Sequence, residues 1–234
     1  MDGLLLIDKP SGWTSFDAVA KVRGILKQNG IAKPKVGHTG TLDPLATGLL
    51  VLVIGKYTKR AQEFSKLDKT YKVTMKLGQT STTSDEEGEK TKISDNKPTQ
   101  KELEEVLEQF TGKIEQVPPA FSAIKINGQR AYKLARAGQQ VKLDPRKVEI
   151  YSLDLGRYDY PTVQFTAKVS SGTYIRSLVA DIGEKLGTGA YMSDLRRTQV
   201  GKFKIDSKQT LAMGVLKWDD VRHHLIVIDE RATI

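Results

Sequence analysis

Six consecutive apolar residues, Leu49 to Ile54, follow directly on a loop of glycine, threonine and proline that carries one carboxylate. The loop reads Gly37-His38-Thr39-Gly40-Thr41-Leu42-Asp43-Pro44-Leu45-Ala46-Thr47-Gly48. The apolar run reads as a buried strand. The loop is therefore fixed to the edge of a core and presents a single acid, Asp43. Gly37, Gly40 and Gly48 permit backbone angles that other residues resist, and Pro44 biases Asp43 away from helix. On these residues alone an Asp-Pro turn between two strands is the simpler account.

The rest of the chain alternates strands, helices and hairpins irregularly. Leu4 to Ile7 reads as a short strand. A helix is predicted from Phe16 to Gln28, capped by Thr14 or Ser15, with Phe16, Val19, Val22 and Leu26 inward. Thr58 is expected to cap a short helix reaching Phe64 or Leu67. Lys69 to Leu77 alternates, with Tyr71, Val73, Met75 and Leu77 on one face and Thr70, Lys72, Thr74 and Lys76 on the other. Thr80 to Asn96 reads as an exposed polar loop or small hairpin. Thr99 and Glu102 form a capping box for a helix ending at Phe110. Asn127-Gly128 signals a hairpin turn. Ile175, Leu178, Val179, Ile182 and Leu186 line a helix stopped by Gly187. These elements predict one α+β fold on a mixed, mainly antiparallel sheet flanked by helices and loops. Arg176 lies in the first turn of the last of those helices, where the dipole disfavours a cation. An exposed arginine is the simpler account of that position, and a specific anionic partner would explain a cation there.

Lysine and arginine number 37 against 28 acids, a net charge of +9. That excess points to a polyanionic partner, nucleic acid before anionic membrane. The absence of cysteine excludes a disulfide framework and a Cys-ligated zinc site. No apolar stretch is long enough to cross a membrane, and the first residues do not form a signal peptide. A cytoplasmic location is expected. With three histidines and no cysteine, a metal centre is not expected.

The loop matches, at every fixed position, the pattern G-H-x-G-x-L-D-P-x-A-x-G, and so closely resembles the catalytic motif of the TruB family of tRNA pseudouridine synthases. Lys9-Pro10-Ser11-Gly12, Tyr71 to Gly78, Pro118 to Tyr132, Gly172 to Arg176 and Leu195-Arg196-Arg197 resemble the same family in the same order. The resemblance implies the pseudouridine synthase fold over residues 1–206, with 207–234 a short extension too small for the RNA-binding PUA module that usually follows. It implies isomerisation of the T-loop uridine of tRNA by base flipping, without cofactor, guide RNA or obligatory protein partner, by a monomer. It makes Asp43 the catalytic residue and Arg176 the cation against it. Tyr71 becomes the aromatic platform under the flipped uracil, Leu195 the aliphatic group on its other side, and Tyr174 a neighbour of the pocket. Lys9 and Pro10 become buttresses of the loop. His38 and Asp85 are implied RNA contacts. Lys59, Arg60, Lys66, Lys69, Lys72 and Lys76 are positioned in sequence to track phosphates.

Overall fold

A computed structural model describes residues 1–122, 124–126, 128–206 and 208–228. The chain forms two compact units. Met1–Tyr71 with Leu195–Ile234 makes the first, and Lys72–Asp194 the second.

In the first unit, β1 (Gly3–Lys9) leads to α1 (Ser15–Gln28), the short β2 (Val36–His38) and β3 (Thr47–Ile54). β1 and β3 pair antiparallel, with Leu5 opposite Leu52 and Lys9 opposite Gly48. β2 pairs antiparallel with the opposite edge of β3 at its Leu52–Ile54 end, His38 opposite Leu52. Both faces of this sheet are covered, which is why β1 and β3 read as continuous apolar runs. Leu5, Ile7, Leu50 and Leu52 meet α1 through Ala18, Val19, Val22 and Leu26. Leu4, Leu6, Leu49, Val51 and Val53 meet Tyr57 and Phe64. Each such side chain contributes about 1.5–3 kcal/mol by leaving water.

The cap of α1 is Thr14, whose hydroxyl accepts the Asp17 amide at 3.1 Å while the Asp17 carboxylate accepts the Thr14 amide at 2.8 Å. Phe16, expected inward, is instead 62% exposed. It lies roughly a quarter turn off the Val19–Val22–Leu26 stripe. Thr58 does not cap a helix either. Its hydroxyl donates to the Gly55 carbonyl at 2.7 Å within a 3-10 turn, and α2 (Ala61–Ser65) follows.

β4 (Lys69–Leu77) carries the chain into the second unit with the predicted alternation. There β5 (Gln79–Ser81) and β6 (Lys90–Lys92) form a small hairpin. Thr99 and Glu102 close the expected capping box on α3 (Gln100–Gln109), which leads to β7 (Gly112–Gln116). A minor hairpin joins β8 (Lys125–Ile126) to β9 (Gln129–Arg130), with Gly128 at φ 84° and α4 (Ala131–Arg136) next. Asn127 of the expected turn, and Ala123 before it, lie outside the described residues. β10 (Arg146–Asp159) pairs antiparallel with β7 and with β11 (Thr162–Val169). α5 (Ile175–Lys185) buries Ile175, Leu178, Val179 and Ile182.

β12 (Ala190–Val200) returns the chain to the first unit, where it runs parallel to β3 with Arg197 beside Gly48. β13 (Phe203–Lys204) folds back on it, and β14 (Thr210–Ala212) adds parallel to β1. The mixture of parallel and antiparallel pairs, with helices against the sheet, is the predicted α+β class. In the stretch expected as a short extension, Met213, Leu216 and Val221, the last from α6 (Trp218–His223), join the core of α1 and β1. Ser207 and residues 229–234 of that stretch lie outside the described residues.

Candidate active site

The Asp43 loop closes the hairpin between β2 and β3, and its backbone is held almost residue by residue. The amide and hydroxyl of Thr39 both donate to the Val51 carbonyl, at 3.1 and 3.2 Å. The Gly40 carbonyl accepts Arg197 Nη2 at 3.1 Å. The Ser15 hydroxyl accepts the Leu42 amide at 2.8 Å and donates to the Leu42 carbonyl at 3.2 Å, using both capacities of one oxygen. The Pro44 carbonyl accepts the Gly12 amide at 2.9 Å and Lys9 Nζ at 3.3 Å. The Ala46 amide closes a turn on the Asp43 carbonyl at 3.1 Å. Leu42 and Ala46 anchor the loop in the core, and the half-buried Asp43 stands between them.

Lys9, implied by the resemblance to buttress the loop, lies beneath it. Its side chain is fully buried, and Nζ also donates to the carbonyls of Pro10 at 2.9 Å and Trp13 at 2.7 Å. Burial pushes its pKa down to about 8, with the Asp43 carboxylate opposing and Arg197 adding to the depression. Burial, then Arg197, also holds His38 below the usual imidazole range. His38 Nδ1 is buried and has no hydrogen-bond partner among the described residues. A buried polar atom in that state is an exception among native proteins.

On β12, Leu195 and Arg197 turn inward, 6% and 2% exposed. Arg197 Nε donates to the Leu49 carbonyl at 2.7 Å, so this guanidinium joins β3 to the loop. Arg196 points the other way and grips the Asp8 carboxylate with two nitrogens, at 2.8 and 3.1 Å. Gly48 between them has φ 103°, and a Cβ there would run into the Arg197 carbonyl and lie 2.7 Å from its nitrogen. Tyr71 is buried on β4.

Lys69 corrects an expectation. It is 7% exposed, and its Nζ donates to the carbonyls of Ser65 at 2.6 Å and Leu67 at 2.5 Å. Burial pushes its pKa down to about 8. It is a structural cation and does not face phosphates. Lys72, one residue past Tyr71, is exposed as expected.

In the second unit, Arg176 is buried in the first turn of α5. Its Nη1 lies 3.5 Å from the Asp85 carboxylate, and it donates to the carbonyls of Phe121 at 2.9 Å and Thr83 at 3.4 Å. Asp85 also accepts from the Thr83 hydroxyl and from the Glu87 amide. The expected RNA contact through Asp85 is thereby corrected. Its carboxylate is 3% exposed and organises the β5–β6 hairpin against α5. The backbone of Tyr174 is held in both directions by the Gln116 amide, at 2.8 and 3.1 Å. Gln116 was not singled out from sequence, Ser15 was read only as a candidate helix cap, and Arg197 only as part of the Leu195-Arg196-Arg197 motif. The signal for Arg197 was its parity with Leu195 on one strand.

Comparison with known proteins places the chain in a family. Residues 23–175 match the family described as TruB family pseudouridylate synthase (N terminal domain), and residues 176–226 match tRNA pseudouridylate synthase B C-terminal domain. The chain is 47% identical over 211 residues to tRNA pseudouridine synthase B of Pseudomonas fluorescens, covering 90% of this chain and 68% of that protein. It is 45% identical over 210 residues to the protein of that name from Chloroherpeton thalassium, covering 89% and 87%. Among solved structures it is similar to a chain of a Cbf5-Nop10-Gar1 complex, at 31% identity and a TM-score of 0.70. That match covers 91% of this chain and 52% of the other, so the chain spans about half the length of that neighbour. Fold and loop together define a pseudouridine synthase, an isomerase that modifies RNA. Within that class, the chain belongs to the TruB family of tRNA pseudouridine synthases.

Proposed function

We propose that the chain isomerises the T-loop uridine of tRNA to pseudouridine, with Asp43 as the catalytic carboxylate. The observation that carries this reading is the loop itself, whose only acid stands on a backbone tied down at Thr39, Gly40, Leu42 and Pro44. The reaction breaks the N-glycosidic bond, turns the base and joins C5 to C1′. No electrons are exchanged with a partner. An ionised carboxylate starts it, as a nucleophile or as a base.

The base must leave its stack to reach such a loop. Tyr71 is the platform under it, Leu195 closes its other side, and Tyr174 borders the pocket. His38 meets the RNA beside the flipped nucleotide. Exposed Lys72 faces phosphate. The family resemblance assigns Arg176 to the same step as Asp43. The enzyme acts as a monomer, in the cytoplasm, without guide RNA or cofactor. Among the described residues no helix is long and apolar enough to cross a membrane.

Single-turnover formation of pseudouridine in an unmodified tRNA transcript, with no other RNA or protein added, tests the proposal. Wild type should modify one T-loop uridine. Asp43→Asn should bind tRNA and form no product. Arg176→Lys keeps the charge but loses the planar fork, and should turn over at least tenfold more slowly. The two losses should not multiply in the double variant, since both act on one step. Wild-type rates from Asp43→Asn would refute the assignment. Activity that appears only with a guide RNA would move the chain to the guide-directed branch.

A further inference from the structure

Helix α1 has a second stripe besides its buried one. Phe16, Ala20, Arg23 and Lys27 recur at helical spacing and share one side of the helix. Phe16 is 62% exposed, although the adjoining face of α1, roughly a quarter turn away, is filled by buried residues. Its ring has one cationic neighbour. The Arg23 guanidinium carbon lies 5.9 Å from the ring centroid, and Arg23 Nη2 donates to the Val36 carbonyl at 3.0 Å. Arg23 is thus pinned to β2, two residues from His38. Beyond it, Ala20 is small and exposed, and a Cβ on Gly24 would meet nothing within 4 Å. Lys27 is exposed at the far end. The stripe holds no acid. Asp17 lies roughly a quarter turn away and is engaged by Thr14.

The stripe begins beside the catalytic loop. Ser15, the residue before Phe16, clamps both backbone groups of Leu42, and Leu42 precedes Asp43. We propose that this side of α1 is a docking surface for the substrate RNA, with Phe16 stacking on a base and Arg23 and Lys27 facing phosphates. The inference rests on the reading of the chain as an RNA-modifying enzyme. An exposed aromatic ring is a sequence-tolerant platform for an unpaired base. Cations at spaced positions beside it suit a backbone and fix its register without reading sequence. The open surface at Ala20 and Gly24 lets a bulky strand approach. With a net charge of +9, a polyanion is the complementary partner.

The test is equilibrium binding of an unmodified tRNA transcript to the full chain across a salt series. Phe16→Ala should weaken binding about tenfold, and Phe16→Tyr should bind as wild type does. Lys27→Ala should reduce the slope of log affinity against log salt by about 1. Val215→Ala, at an exposed apolar position off the stripe, should change nothing. Thermal melts check that each variant is folded. Unchanged affinity in Phe16→Ala overturns the proposal, and so does a Phe16→Leu variant that binds as tightly as wild type. If wild type self-associates and Phe16→Ala does not, with tRNA affinity unaltered, the stripe is an interface between copies and the proposal fails. A wild-type enzyme that forms no pseudouridine refutes the functional reading. An active wild type indifferent to Phe16→Ala refutes the docking surface alone.

Discussion

Replacing Lys9 with methionine separates what a buried charge does for the fold from what it does for the loop. Lys9 is fully buried, and its amine serves three carbonyls, those of Pro10, Trp13 and Pro44. Its pKa falls from the ordinary 10.5 to about 8. At about 1.4 kcal/mol per unit, burying the charged form costs roughly 3 kcal/mol. Between pH 8 and 10.5 the unfolded chain therefore holds a proton that the native chain does not, and native stability rises with pH. The contribution is complete above 10.5 and is lost as pH falls through 8. Urea unfolding of wild type and Lys9→Met from pH 7 to 11 isolates it, because Lys69, also lowered to about 8, titrates equally in both. Wild type should gain up to about 3 kcal/mol on the variant across that window. At pH 7.5 the two should differ little, since the variant loses hydrogen bonds but also loses the buried charge. Its single-turnover rate should nevertheless fall, by on the order of 100-fold if the Pro44 carbonyl drifts by about 1 Å. Parallel stability curves across the window, or a variant with wild-type rates, would refute the reasoning.

Gly48→Ala should destabilise the protein by about 2–5 kcal/mol in denaturant melts, from left-handed strain plus a clash with the Arg197 backbone. Asp85→Ala takes an ion-pair partner from a buried guanidinium, so a loss of about 3–5 kcal/mol is expected, with Asp85→Asn milder. Tyr71→Phe keeps the ring and should bind tRNA and turn over, whereas Tyr71→Ala should fail at both. A Phe variant that binds but forms no pseudouridine would show that the hydroxyl takes part in the chemistry.

What was legible in the sequence was whatever depends on neighbours in the chain. The cap at Thr14, one of two candidates, the capping box of Thr99, the strand at Leu49–Ile54 and the alternation of β4 are local patterns, and all appear. The charged interior was harder to read. Asp85 and Arg176 are buried because they meet each other 91 positions apart. Arg197 is buried because carbonyls at Gly40 and Leu49 wait for it. A sequence written in one dimension does not display such partners, and an acidic loop or a basic strand then reads as solvated surface. Lys69 shows that some of this was available, since its parity with Tyr71 already turned it inward. Phe16 shows the opposite error, because one apolar residue at the edge of a helical stripe reads as part of it.

The order of synthesis gives the Arg197 contacts a further consequence. Arg197 follows its partner Gly40 by 157 residues, and the whole second unit is made in between. At about 5–20 residues per second, roughly 10 to 30 s separate the two on the ribosome. Lys72–Asp194 is one continuous segment and can collapse while it waits, but the hairpin that carries Asp43 cannot close on β12 until the strand arrives. Such late, long-range closure is slow to form. Until then the edge of β3 lacks β12 and its core lacks Val200, Phe203 and Met213, so the nascent chain passes through a sticky stage whose length is set by translation speed.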